Sequence, residues 1–363
     1  MRPAQDVVVA LLLTQMSNAQ SYRKYVEFAV LCLLASVLFW WFGRNLDWIE
    51  VRRAVGNSDP YLLSAAILII CSVYLFRAFR WGALLKPLSA ARLSDLFAAT
   101  TIGFSAVFLV GRAAEFVRPV VLSMREPNVR PSASLVTIVV ERIYDMTAVA
   151  LIFAINLIWF KPPRALEVSF DRVRIAGFAL LGATILGIAF LMWFRKRSPV
   201  VISFLERLFS SWRFVPRRLA QLVLGILEQL AQALSVLVNF AELAQTIGWT
   251  ALLWFAIAAA NLLVMRAFHL QVGLSETIFV LGWALVGSLV PTPGGAAGAF
   301  HAATAAGLLF LGVKKETAAA LSIVMHLVDF APALLFGIFY VIRGDLSFSR
   351  LRTLISPKEA ELR

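Results

Sequence analysis

Nine apolar blocks, separated by short basic stretches, leave this chain few folds to choose from. They occupy residues 26–42, 61–76, 96–110, 134–160, 176–194, 248–265, 275–290, 299–313 and 317–342. Backbone amides in lipid have no water to bond, so only helices and closed barrels can span a membrane. The blocks are continuous and do not alternate in period two, which selects helices. Only 15% of the 363 residues are charged and 60% are hydrophobic, whereas soluble domains carry about 25% charge. The expected fold is an all-α integral membrane protein, a polytopic helical bundle of about six to eight spans with re-entrant or broken helices.

A perpendicular crossing needs roughly 20 residues at about 1.5 Å each. Blocks 96–110, 275–290 and 299–313 fall short, and each borders glycine- or proline-bearing sequence. If all nine blocks cross with the N-terminus inside, the inner loops hold 14 Lys and Arg and the outer loops 19, against the positive-inside rule. If 96–110 dips in and returns, the inner loops hold 23 and the outer 10. That block therefore reads as re-entrant, with both termini cytoplasmic. Region 275–313 is either two crossings or a re-entrant pair. The domain plan is an N-terminal extension (1–25), a transmembrane domain (26–342) and a cytoplasmic tail (343–363). Within it, 195–247 reads as a cytoplasmic segment. Its second half, 217–245, has leucines and isoleucine at helical spacing (Leu219, Leu222, Ile226, Leu230). It is expected to be an amphipathic interfacial helix or a hairpin packed on the bundle.

The net charge of +13 does not indicate nucleic acid, because the basic residues cluster at block ends, where they anchor helices and meet anionic headgroups. Cys32 and Cys71 lie inside apolar blocks and read as small hydrophobes, and His269, His301 and His326 have no ligand spacing; no metal or cofactor is expected. Gly307 to Gly312 has the glycine spacing of a phosphate loop, but Val313 stands where lysine is needed. No nucleophile elbow is present, and no lysine inside a clear span could hold retinal. The chain is not expected to be an enzyme.

Three polar features interrupt the apolar pattern. Arg112, Glu115 and Arg118 recur every three residues after the re-entrant block, so on a helix they share a sector with donors to spare for phosphate. Interfacial anchoring is the other reading. Glu141, Arg142 and Asp145 lie inside the fourth block, at a depth where charges must be paired or wet. Pairing with the first cluster explains them, with or without a headgroup cavity. Pro291, Pro293, Gly294, Gly295 and Gly298 prevent regular helix between two short blocks. The result is either a tight loop or an unwound break whose amides can bind an anion. His301, on the first turn of the next helix, is a ligand contact or a cap. Arg77, Arg80 and Trp81 read as interface anchors, Asn261 as a bond between helices, and His326 with Asp329 as a buried pair.

"GRAAEFVRPVVL" (111–122), "ERIYDMTAV" (141–149) and "PTPGGAAGAF" (291–300), with "RAFRWGALL" (77–85) upstream, resemble the lysylphosphatidylglycerol synthase transmembrane-region, or flippase-like domain, family. The resemblance runs from about residue 25 to 345. It implies a lipid flippase of a bacterial-type inner membrane, moving a phosphate-containing lipid or lipid-linked headgroup between leaflets. In that transport reading the substrate-binding residues are those of the three clusters, with Arg112, Arg118 and Arg142 on phosphate and Glu115, Glu141 and Asp145 positioning them or binding a cationic headgroup. The partners are anionic membrane lipids and, as an alternative reading, a separately encoded synthase or glycosyltransferase for which the chain is a scaffold. Bifunctional members carry an aminoacyl-transfer domain after this region; none is expected here, and lysyl transfer is not carried over. Many members have a carboxylate near His301, where this sequence departs.

Overall fold

A computed structural model of the chain describes residues 29–343, apart from 31, 87–88, 130, 163–166, 212–219, 222, 226, 229–230 and 232–239. Among the described residues the elements are helices: α1 (Cys32–Gly43), α2 (Trp48–Gly56), α3 (Pro60–Leu85), α4 (Leu93–Val110), α5 (Val117–Arg125), α6 (Pro131–Trp159), α7 (Glu167–Ser211), α8 (Phe240–Ala267), α9 (Leu274–Gly287), α10 (Ala299–Phe310) and α11 (Lys315–Ile342), with a 3₁₀ turn at Arg112–Phe116 and a single turn at Pro293–Ala296. Five helices are long and apolar enough to cross a membrane. Their outward side chains include Leu68, Phe255, Leu335 and Phe339, all more than half exposed. Such a surface suits acyl chains and not water.

The third block starts earlier than the sequence suggested. Helix α4 begins at Leu93 and has 18 residues, enough to count among the five. The chain then turns at Gly111 and comes back: Arg125, at the end of α5, places Nε 2.7 Å from Asp95 Oδ1 in the first turn of α4. Arg92 meets both Asp95 and Glu126 at 3.1 Å, and its backbone N–H and guanidinium hold the Glu126 carboxyl below the usual range. The start of α4 and the end of α5 are therefore held together by ion pairs.

Segment 195–247 also differs from expectation. Helix α7 runs unbroken to Ser211, and residues 240–247 already belong to α8. Arg195–Arg197 extend the span's helix because no glycine stops it, and Pro199 is accommodated within it. Most of the expected amphipathic helix, 217–239, lies outside the described residues, as do the 1–25 extension and most of the tail.

Helices α3 and α8 run against each other, and α11 packs on α3, α4, α8 and α10. The contacts are built from buried small side chains, Ala256 and Ala260 on α8 and Ala319, Ala320 and Ala333 on α11, which let backbones approach where lipid offers no hydrophobic drive. The α4–α11 contact is close. Ser105 Oγ donates to the Ala333 carbonyl at 2.8 Å. A Cβ on Gly337 would overlap Ser105 Oγ and lie 2.9 Å from the Thr101 carbonyl oxygen. Gly337→Ala is expected to destabilise the bundle by about 1–3 kcal/mol through overpacking. A lowered midpoint in detergent thermal unfolding checks it.

Helices α9 and α10, of 14 and 12 residues, are too short to cross alone and pack side by side. Between them Gly294, Gly295 and Ala296 all adopt positive φ (75°, 63° and 66°), one left-handed turn that only a glycine-rich stretch tolerates. The turn packs on α4.

Candidate functional site

Arg77 and Arg80 lie three apart on α3, one turn or two before its end. They are not interface anchors. Arg80 is fully buried; its guanidinium reaches Glu141 Oε1 at 2.7 Å and Asp145 Oδ1 at 2.6 Å. Glu141 and Asp145, four apart on α6, share the face that meets it. Glu141 also takes Arg118 of α5 at 3.1 Å. Thr250 Oγ1 accepts from Arg80 at 3.3 Å, and Trp254 Nε1 donates to Asp145 Oδ1 at 3.3 Å. Arg118 stacks over the Trp81 ring at 4.4 Å, and Trp81 Nε1 donates to Thr137 at 2.9 Å. Four helices, α3, α5, α6 and α8, thus converge on one ion-pair network. In a low dielectric such charges persist because each carboxylate is matched by a guanidinium.

The 111–118 cluster is arranged differently from a continuous helix. Gly111, at φ 101°, breaks the helix, and Glu115 lies in the 3₁₀ turn that follows while Arg118 lies on α5. Arg118 points into the network, while Glu115 pairs with Arg142 at 3.3 Å. The Arg112 side chain lies outside the described residues. Arg142 also lies 3.8 Å from Asp145.

A cavity of about 430 Å³ opens beside the network, within the range of small-ligand sites. Its charged wall is Arg77, Glu115, Arg142 and Asp145; its far wall is Thr292, Gly295 and Ala296 of the break. Arg118 and Glu141 support that wall from behind. Pro291, Pro293, Gly294 and Gly298 shape the break without lining the cavity, and neither does His301. The His301 ring packs on Phe39 and Phe42 instead, and its Nδ1 accepts from the Gly298 N–H at 3.3 Å, so it caps α10. Met146, Val286 and Leu289 sit at the rim, each at least 60% exposed. The rim is therefore made of exposed apolar side chains, like the outer surface of the spanning helices.

Arg77 differs from the other three arginines. Among the described residues no carboxylate lies within ion-pairing distance of it. Its guanidinium rests 4.6 Å from the Phe104 ring centroid and lines the cavity. The signal in the sequence was present: two arginines three apart, with eight more residues of helix after Arg77 and five after Arg80. A basic residue at a block's end cannot be told from an anchor until the helix is seen to continue past it.

His326 and Asp329 do not pair with each other. His326 Nε2 donates to the Gly295 carbonyl at 3.0 Å, bracing the left-handed turn. Asp329 accepts from Asn261 Nδ2 at 3.3 Å, the interhelical bond expected of Asn261. Among the described residues there is no cluster of side chains suited to a metal ion.

A family model described as the lysylphosphatidylglycerol synthase transmembrane region matches residues 28–337. The chain is 22% identical over 332 residues to glycosyltransferase AglD of Haloferax volcanii, across 84% of this chain and 52% of that protein. It is 25% identical over 317 residues to a UPF0104 membrane protein of Methanothermobacter thermautotrophicus, across 85% and 90%. The chain therefore spans about half the length of the first relative and most of the second.

Proposed function

The chain belongs to the lysylphosphatidylglycerol synthase transmembrane-region family, and from that premise we propose that this multi-pass membrane protein moves an anionic, phosphate-bearing lipid between leaflets. The observation that carries the reading is the pairing of an exposed apolar rim with Arg77, a guanidinium that has no carboxylate within ion-pairing distance among the described residues. A lipid can enter headgroup first while its chains stay in the bilayer. Arginine's fork then offers parallel donors to phosphate oxygens. Arg142 supplies a second positive edge, and the break at Pro291–Gly298 supplies backbone mobility next to the headgroup. The reading is of a transporter and not an enzyme: Glu115, Glu141 and Asp145 are each held by a guanidinium, which suits positioning better than proton transfer. We place it in a bacterial-type cell membrane, with both termini cytoplasmic, an orientation that the bias of basic residues in the loops supports.

A second reading is favoured by one observation. The match covers 52% of a protein named as a glycosyltransferase, so a domain of this kind also occurs joined to further chain. The present chain would then serve a separately encoded lipid- or glycan-modifying enzyme.

Purified protein in phosphatidylcholine vesicles containing fluorescent phosphatidylglycerol is expected to speed exchange between leaflets, read as quenching by an impermeant reductant. Exchange no faster than in protein-free vesicles, over a panel of anionic and polyprenyl-phosphate lipids, overturns the transport reading. A stoichiometric co-purifying enzyme would then favour the second.

A further inference from the structure

A smaller cavity of about 140 Å³ adjoins the first and shares Arg77, Phe104, Trp254, Leu285, Ser288 and Phe330 with it. Asp329 of α11 lies at its other end. Among the described residues no Arg, Lys or His stands within ion-pairing distance of this carboxylate. Its side-chain partner is the amide of Asn261, which is fully buried. That amide's oxygen, Asn261 Oδ1, is itself buried and lacks a hydrogen-bond donor. An ionised aspartate can only accept, whereas a protonated one has a hydrogen to give. The unsatisfied Oδ1 is an acceptor for that hydrogen, so the neutral acid and the amide can pair through both their polar edges.

Charge balance points the same way. Around the larger cavity Arg77, Arg80, Arg118 and Arg142 meet Glu115, Glu141 and Asp145, one positive charge in excess. Ionised Asp329 brings the described cluster to neutrality. An anionic headgroup on Arg77 would leave one uncompensated negative charge inside the bundle, where each costs several kcal/mol. Uptake of one proton by Asp329 removes it. We infer that Asp329 is a proton-binding site that loads together with the lipid phosphate, so that lipid anion and proton cross as a neutral pair; the inference rests on the transport reading above.

Competing groups are few. Tyr74 and Arg77 of α3 are the other titratable side chains lining the smaller cavity. Tyr74 commits its hydroxyl to the Asp329 main-chain carbonyl at 2.7 Å. From α4, α8, α9 and α10 come Phe104, Trp254, Ile257, Ser288, Phe300 and aliphatic neighbours, none of which titrates. His326, one turn back on α11, is engaged by the Gly295 carbonyl, and His301 beyond it by the Gly298 N–H.

The test uses the vesicles described above with either a pH gradient or a potassium diffusion potential imposed. For the native protein, fluorescent phosphatidylglycerol is expected to gather in the leaflet facing the more alkaline side, by about tenfold for a gradient of about one pH unit, and to ignore the membrane potential. Asp329→Asn, fixed in the neutral form, is expected to exchange lipid without responding to the pH gradient and to respond to potential instead. A native protein that follows potential and not pH, or a variant that keeps the pH response, overturns the proton site. So does a response to a sodium gradient in place of pH. If the variant does not fold, the contrast between the two gradients in the native protein still decides. Native protein that exchanges no lipid under any gradient overturns the transport reading itself, a result distinct from exchange that ignores pH.

Discussion

Glu141→Ala should leave little folded protein. Glu141 is fully buried and is the carboxylate for Arg118, while it shares Arg80 with Asp145. Its removal leaves the Arg118 guanidinium, only 2% exposed and already lacking partners at Nε and Nη2, as an uncompensated cation. Breaking a buried pair from one side costs about 3–5 kcal/mol, a large share of a stability of about 5–15 kcal/mol. Size-exclusion chromatography and thermal unfolding in detergent read the loss. Removing both partners, as Glu141→Gln with Arg118→Met, takes away the stranded charge and should recover part of it. An unfolding midpoint unchanged in Glu141→Ala would mean that water reaches Arg118 and that the network is not dry.

Arg77→Gln should do the opposite, sparing the fold and stopping transport. Among the described residues the side chain has no ion pair to break, and its guanidinium rests against the Phe104 ring. What is lost is the free donor set of the cavity. Hydrogen bonds to charged groups are worth about 1.5–3 kcal/mol, so exchange of phosphatidylglycerol is expected to slow by roughly ten- to a hundredfold. Arg77→Lys, which keeps the charge and loses the fork, should fall between. Exchange at the native rate in Arg77→Gln, with the protein folded, would remove Arg77 from the headgroup site and with it the observation on which the transport reading stands.

Much of the site was legible from spacing. Glu141 and Asp145 at four residues must share a helix face, and charges inside an apolar block must find partners, which Arg118 and Arg142 supply. The glycine-proline stretch had to interrupt a helix, and its three consecutive positive φ values are that interruption. Arg77, Arg80 and Asp329 were misjudged for a common reason: the position of a charged residue along an apolar block does not reveal what faces it across the bundle. Helical spacing suggested that His326 and Asp329 would pair, yet Gly295 and Asn261, 31 and 68 residues distant, take those roles.

By itself the sequence determined that the chain must be helical and membrane-embedded, because uninterrupted apolar blocks leave backbone groups no partners but one another. It also determined where regular helix had to fail. Only the tertiary structure decided which charges cancel and which remain available. That outcome depends on three-dimensional distance, since Coulomb energy in a low dielectric grows steeply as groups approach, and the linear order of residues does not encode those separations.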